Sequence, residues 1–235
     1  MRVMHFFLFV LFAQSYCIDA RSVDPEWPEF PIPENSQLLI VSSNMVFNGI
    51  PMKNWELTTL LSPQKLKEFY LNNWQFVADG LKAGAPGYQV VETKNITIIS
   101  RMEGEYLLTV QMSNKTKAAR AYLAISKVVD EHRVPFIMGE NFPALTGTVF
   151  INDITAVDGM KTSRTIIAVS EAPFKSVVGF YRATYKKNGW VEMSQSLPVG
   201  NKGLGLMFNK KNKEANIAIT PKDGKVNIVA VQVEH

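Results

Sequence analysis

The chain carries one arrangement of apolar and polar positions twice. From Ser62, apolar residues recur at helical spacing as Leu66, Phe69, Tyr70, Trp74 and Val77, and from Ala172 they recur as Val177, Val178, Phe180, Tyr181 and Tyr185. Phe180-Tyr181 lies 111 positions after Phe69-Tyr70 (180 − 69), and Val177 lies as far after Leu66. Pro63 and Pro173 sit near the first turn, where a missing N–H costs nothing. Each stretch predicts one helix with a single aromatic face.

β-type patterns surround each helix. Residues 37–47 are mostly β-formers, Asn48-Gly49 follows, and a second such run extends over 55–61. Residues 147–157, Asp158-Gly159 and 162–170 repeat the device at an offset of 110 (158 − 48). Asn-Gly and Asp-Gly between such runs predict hairpins, since these residues tolerate positive φ. Past the first helix, strands are expected over 88–92, 96–101, 106–112 and 119–126; past the second, over 190–194, 204–209, 215–220 and 226–233. Alternation is clear in Ile217 and Ile219 and in Val226, Ile228 and Ala230, which marks strands with one buried face. Both units read β-β-α-β-β-β-β.

A helix and an antiparallel sheet that each have one apolar face can bury those faces on one another. The expected fold class is therefore α+β. It consists of two tandem repeats, each a β-hairpin, one amphipathic helix and an antiparallel meander packed as a two-layer sandwich. Phe69, Tyr70 and Trp74 in the first repeat, and Phe180, Tyr181 and Tyr185 in the second, are the expected core, each ring worth ~2 kcal/mol or more when fully buried. Around the repeats, residues 1–20 read as a cleaved signal peptide and 21–35 as a Pro-rich extended leader. The first repeat then covers 36–127, an apolar linker 128–146 and the second repeat 147–235. Arg2 followed by an apolar run from Met4 to Ala13 is too short for a permanent anchor. In the linker, Phe136, Ile137 and Met138 are expected to pack where the repeats touch.

Composition narrows the chemistry. Cys17 is the single cysteine and falls inside the signal segment, so the rest of the chain has neither disulfides nor thiolate metal ligands. The formal charge of +4 is spread evenly: residues 30–127 hold ten Lys/Arg against seven Asp/Glu, and 142–235 hold twelve against seven. The runs at Lys186-Lys187 and Lys210-Lys211 fit solvated turns, and no basic stripe suggests nucleic acid. Between the signal segment and the C-terminal His235 a Ser/His/acid or Cys/His arrangement has only His132 and no cysteine to work with, and His132, between Glu131 and Arg133, reads as an exposed linker residue. Gly200 to Gly205 leads into a strand rather than a helix, unlike a phosphate loop. Asn152-Asp153 and Asp158 do not build a calcium loop. Glu103 and Glu105, on one face of a strand, solubilise an edge. Asn95 and Asn114 begin glycosylation sequons. Catalytic, cofactor-binding and metal-binding residues are thus all expected to be none, and the protein is expected not to be an enzyme.

Seven methionines, Met45, Met52, Met102, Met112, Met160, Met193 and Met207, are scattered over strands and turns. Core filling is expected for most; any on an open sheet face or edge would mark a protein-binding surface, because thioethers make adaptable contacts. The recurring elements, Asn48-Gly49-Ile50-Pro51-Met52, Phe69-Tyr70, Asp158-Gly159-Met160, Phe180-Tyr181 and Gly189-Trp190, resemble small, often tandem domains of uncharacterised exported proteins of Gram-negative bacteria. Gly87-Tyr88 stands in the first unit where the second has Gly-Trp. The resemblance implies a fold and a periplasmic or secreted location rather than an activity. The expected function is a non-enzymatic exported binding or scaffold protein with protein partners in the cell envelope, accessory to a pilus or secretion machine. No nucleic acid and no transmembrane anchor are expected. The alternative is a carrier of a small apolar ligand or lipid, which requires an apolar pocket of ~300 Å³ or more between helix and sheet.

Overall fold

The computed structural model describes residues 27–75, 87–128, 136–193, 197–199 and 203–235. The signal peptide, the start of the leader, Val77, Ser194, His132 and the first part of the glycine-rich turn lie outside these residues.

The first half runs β1 (Gln37–Phe47), β2 (Ile50–Thr58), α1 (Pro63–Asn73), β3 (Gln89–Glu92), β4 (Ile96–Glu103), β5 (Tyr106–Ser113) and β6 (Arg120–Lys127). The second runs β7 (Val149–Asp158), β8 (Lys161–Ser170), α2 (Phe174–Lys187), β9 (Val191–Glu192), β10 (Leu197–Val199), β11 (Gly203–Lys210), β12 (Lys213–Lys222) and β13 (Lys225–Glu234). This is the expected α+β composition, with antiparallel strands and two helices. The strands form one 13-stranded sheet, however, in the order β10-β11-β12-β13-β8-β7-β1-β2-β6-β5-β4-β3, with β9 attached to β11. Outward from the centre the first half reads β1-β2-β6-β5-β4-β3 and the second β7-β8-β13-β12-β11-β10; the two paths agree in chain order as far as β4 and β11, beyond which the strand after α1 is β3 while the strand after α2, β9, sits beside β10 on β11.

Local chemistry explains the elements. At Asn48-Gly49 both residues take left-handed φ, 50° and 82°; the second hairpin turns one residue later than expected, at Gly159-Met160, because Asp158 still pairs with Lys161, and there glycine at the first turn position alone has positive φ, 59°. Ser62 caps α1 by accepting from the Lys65 N–H at 3.3 Å, with Pro63 in the first turn. α2 starts after Pro173 without a side-chain cap and ends at Gly189, whose φ of 77° lets the Trp190 N–H reach back to the Tyr185 carbonyl at 3.0 Å. Lys186 and Lys187 sit in its last turn, where the helix dipole favours cations.

Each helix covers its own half of the sheet. Leu66, Tyr70 and Trp74 pack with Leu57, Ile99, Leu108, Val110 and Leu123; Val177, Tyr181 and Tyr185 pack with Ile166, Leu206, Phe208, Ile217 and Ile228. Phe69 and Phe180, expected in the core, are half-buried at its margin, each edge-on to the following tyrosine with ring centroids 5.3 Å apart. Trp27 and Phe30 of the leader close the first core, and Phe142 of the linker closes the second. The linker residues expected at the junction, Phe136, Ile137 and Met138, remain largely exposed, although the Phe136 ring lies over Gly49. Glu103 and Glu105 do not share a strand face. They flank Gly104 in a turn, paired with Arg101 at 3.6 Å and Lys127 at 3.1 Å.

Candidate functional site

Cross-strand partners share a face of the sheet. Met102 stands opposite Leu107, Leu107 opposite Ser126, Ser126 opposite Met52, and Met52 opposite Met45. The row continues across the centre from Met45 to Ala156, then through Ser163 and Val233 to Glu214 and Asn209. Its members alternate with the buried Leu57, Leu108, Ile125 and Ile166, so this is the face turned away from both helices. A neighbouring row on the same face runs Phe47, Ile154, Thr165, Val231, Asn216, Met207. From Met102 to Val233 the first row holds no charged residue.

The methionines sort accordingly. Core filling accounts for Met112 alone among the seven; Met45, Met52, Met102 and Met207 lie on the open face, and Met160 projects from a hairpin tip. Tyr122, more than half exposed, stands on that face beside Glu56, which is ion-paired with Arg120.

The two halves meet along a short seam. β1 and β7 pair only through Met45, Val46 and Phe47 against Ala156, Thr155 and Ile154. One polar cluster pins the seam's end. The Asn48 N–H donates to the Asp153 carbonyl at 2.9 Å, and the Asp153 N–H donates to the Asn48 side chain at 2.8 Å. The Asp153 carboxylate, 3% exposed as a residue, accepts from Arg164 Nε at 2.9 Å, from Arg164 Nη2 at 2.6 Å and from the Gly139 N–H at 2.9 Å. Arg164 Nη1 also donates to the Glu140 carbonyl at 3.0 Å. Burial is the largest influence on the Asp153 carboxyl and works against ionisation. The Arg164 hydrogen bonds, the Gly139 N–H and the Arg164 charge outweigh it, holding the group below the ordinary value of 3.8. Asp153, dismissed from the sequence as a calcium ligand, is thus a structural anion that ties hairpin, linker and β8 together.

β1 and β7 also share a distortion. The β1 register against β2 slips between Ile40 and Ser42, leaving Val41 as an extra residue; the β7 register against β8 slips between Phe150 and Asn152, leaving Ile151. The bulges lie 110 positions apart (151 − 41), one fewer than the 111 between the two hairpin turns (159 − 48).

Among the described residues no group of three or more His, Cys, Asp or Glu side chains could share a metal ion, and no helix is long and apolar enough to cross a membrane. A groove of about 290 Å³ beside Trp190 is lined by Arg164, Lys213, Glu214, Gln232 and Glu234, one of about 250 Å³ beside Ser62 by Lys67, Glu92 and Asn114, and one of about 430 Å³ at the start of α2 by Pro173, Phe174, Pro221 and Val226; all three are open to solvent. Asn114, the second sequon residue, has its amide engaged: it accepts from Thr97 Oγ1 at 2.8 Å and donates to the Thr93 carbonyl at 3.0 Å. No family model, curated protein or solved structure matches the chain.

Proposed function

We propose that the chain is an exported, non-enzymatic binding or scaffold protein of the cell envelope, accessory to a pilus or secretion machine, which engages a protein partner through the open face of its sheet. The observation that carries this reading is the uncharged row from Met102 to Val233, with flexible thioethers at Met102, Met52 and Met45 and Met207 in the adjoining row. Such a surface adapts to an apolar partner without stripping water from charges.

The chain is further read as two copies of one hairpin-helix-meander segment, each a helix layered on its own half-sheet and joined to the other edge to edge. The matching strand paths, the equivalent Tyr70 and Tyr181 and the equivalent bulges at Val41 and Ile151 support descent by duplication. The test is affinity capture of the full chain from the envelope fraction after mild crosslinking, beside a Met52→Lys, Met207→Lys variant that keeps its fold. A defined partner retained by the wild type and lost by the variant is expected. Recovery of the wild type as a lone monomer refutes the reading.

A further inference from the structure

The first half of β1 is the one long exposed run in the sheet that begins at its centre rather than at an outer edge. From Gln37 to Val41 all five residues are exposed, Leu39 at 66% and Ile40 at 62%. Leu38 and Ile40 stand opposite Leu57 and Trp55, on the helix side; Leu39 stands opposite Glu56, on the open side. Both faces of this apolar run therefore meet solvent. Among the described residues its outer edge is open as well, because β7 covers β1 only at Met45 to Phe47 and ends in the Gly159-Met160 turn. Among the described residues Gln37 to Ser42 has no ladder partner on that side, a slot of roughly 20 Å at ~3.3 Å per residue. Natural sheets blunt such edges with charge, proline or a bulge. β10 carries Pro198, whereas Leu38-Leu39-Ile40-Val41 carries neither charge nor proline and has only the bulge at Val41, at the end of the run.

We propose that this slot is filled by the same segment of a second copy of the chain, in an antiparallel pairing that makes the protein a twofold dimer. Three observations favour a second copy. The run has no charge, so antiparallel self-pairing sets apolar residues against apolar residues without repulsion. The pairing also prolongs the antiparallel ladder that β7 already begins on this edge of β1. Finally, the slot lies between the two most exposed large apolar side chains of the described residues. Met160, 94% exposed, is at the tip of the hairpin that closes one end, and Leu60, 87% exposed, lies just past β2 near the other. A twofold axis through the slot turns the Leu60 end of each copy towards the Met160 end of its partner. The association buries side chains on both faces of the strand but spans few residues, placing it among small, reversible interfaces. It does not depend on the identity of any envelope partner, since the open face remains free.

The experiment is sedimentation velocity of the full chain through the micromolar range, with three variants in a Cys17→Ser background. Wild type is expected to shift from monomer to dimer with concentration. Leu39→Lys with Ile40→Lys weakens the dimer by ~10-fold or more through like charges facing each other, with an unchanged circular dichroism spectrum. Leu39→Cys forms a disulfide-linked dimer under mild oxidation, and Met207→Cys, on the distant open face, does not. A monomer at every concentration, or equal crosslinking through both cysteines, overturns the proposal. A chain that stays monomeric while its Leu39 edge takes up a foreign peptide likewise overturns it, yet leaves the binding function intact.

Discussion

Replacing Asp153 by asparagine keeps the size of the side chain and removes its charge, so it tests whether the seam depends on one buried anion. The carboxylate accepts three N–H groups, two from Arg164 and one from Gly139. An amide can accept through one oxygen only and turns its own NH₂ towards a donor. Hydrogen bonds to a charged group contribute ~1.5–3 kcal/mol each, and breaking a buried pair costs ~3–5 kcal/mol. Arg164 keeps 27% of its side chain in water, so the lower end applies, about 3 kcal/mol. For a chain of this length that corresponds to a fall in Tm of about 6–12 °C. Reversible urea unfolding of both proteins across pH checks it. The folded carboxyl titrates below 3.8, the ordinary value it regains on unfolding, so its stabilisation is complete above that value and is lost as pH falls through the folded one. The gap between wild type and Asp153→Asn is therefore constant from about pH 7 to about pH 5 and closes as the acid range below 3.8 is entered. A gap under ~1 kcal/mol at neutral pH, or one that persists in strong acid, refutes the reasoning.

The hydroxyls of Tyr70 and Tyr181 are buried with no hydrogen-bond partner among the described residues, and burial pushes both phenols up. Tyr70→Phe and Tyr181→Phe are therefore expected to leave stability unchanged or raise it by up to ~1 kcal/mol in chemical unfolding, whereas a loss would reveal a partner. Gly49→Ala places a Cβ 2.5 Å from the Phe136 ring at a φ of 82°, and Gly104→Ala meets nothing within 4 Å at a φ of 55°. Thermal unfolding should show the first losing ~2–3 kcal/mol and the second ~1 kcal/mol, the left-handed backbone alone accounting for the smaller loss. Leu206→Ala, which empties a fully buried site, is expected to cost ~3 kcal/mol by the same assay.

What the sequence revealed was what repeats within a short window. Asn48-Gly49 and the spacing of Leu66, Tyr70 and Trp74 are local signals, and they located the first hairpin and α1 correctly. Periodicity does not separate the centre of an apolar face from its rim, which is why Phe69 and Phe180 were assigned to the core with their tyrosine neighbours. The joining of the halves into one sheet rests on three uncharged residue pairs more than a hundred positions apart, and nothing nearby in the chain encodes them. β10 escaped notice because a three-residue strand with a central proline has no period to detect. A signal for the polar cluster did exist. Counting back from the expected Asp158-Gly159 turn sets Asp153 opposite Arg164, and the observed turn one residue later makes the pair diagonal, inside a stretch otherwise bounded by Ile151 and Ile154, where a lone carboxylate needs a cation.

The length of the sheet has a geometric consequence for stoichiometry. Twelve strands in file make eleven junctions, and at the usual ~20–25° of rotation per junction the ends differ by well over half a revolution. The surface is then a screw: the stretch over β4 to β6 looks away from the stretch over β11 to β13. A compact partner can occupy one of these outlooks at a time, so it should bind in a ratio of two per chain, back to back. A filamentous partner would instead have to wind along the groove.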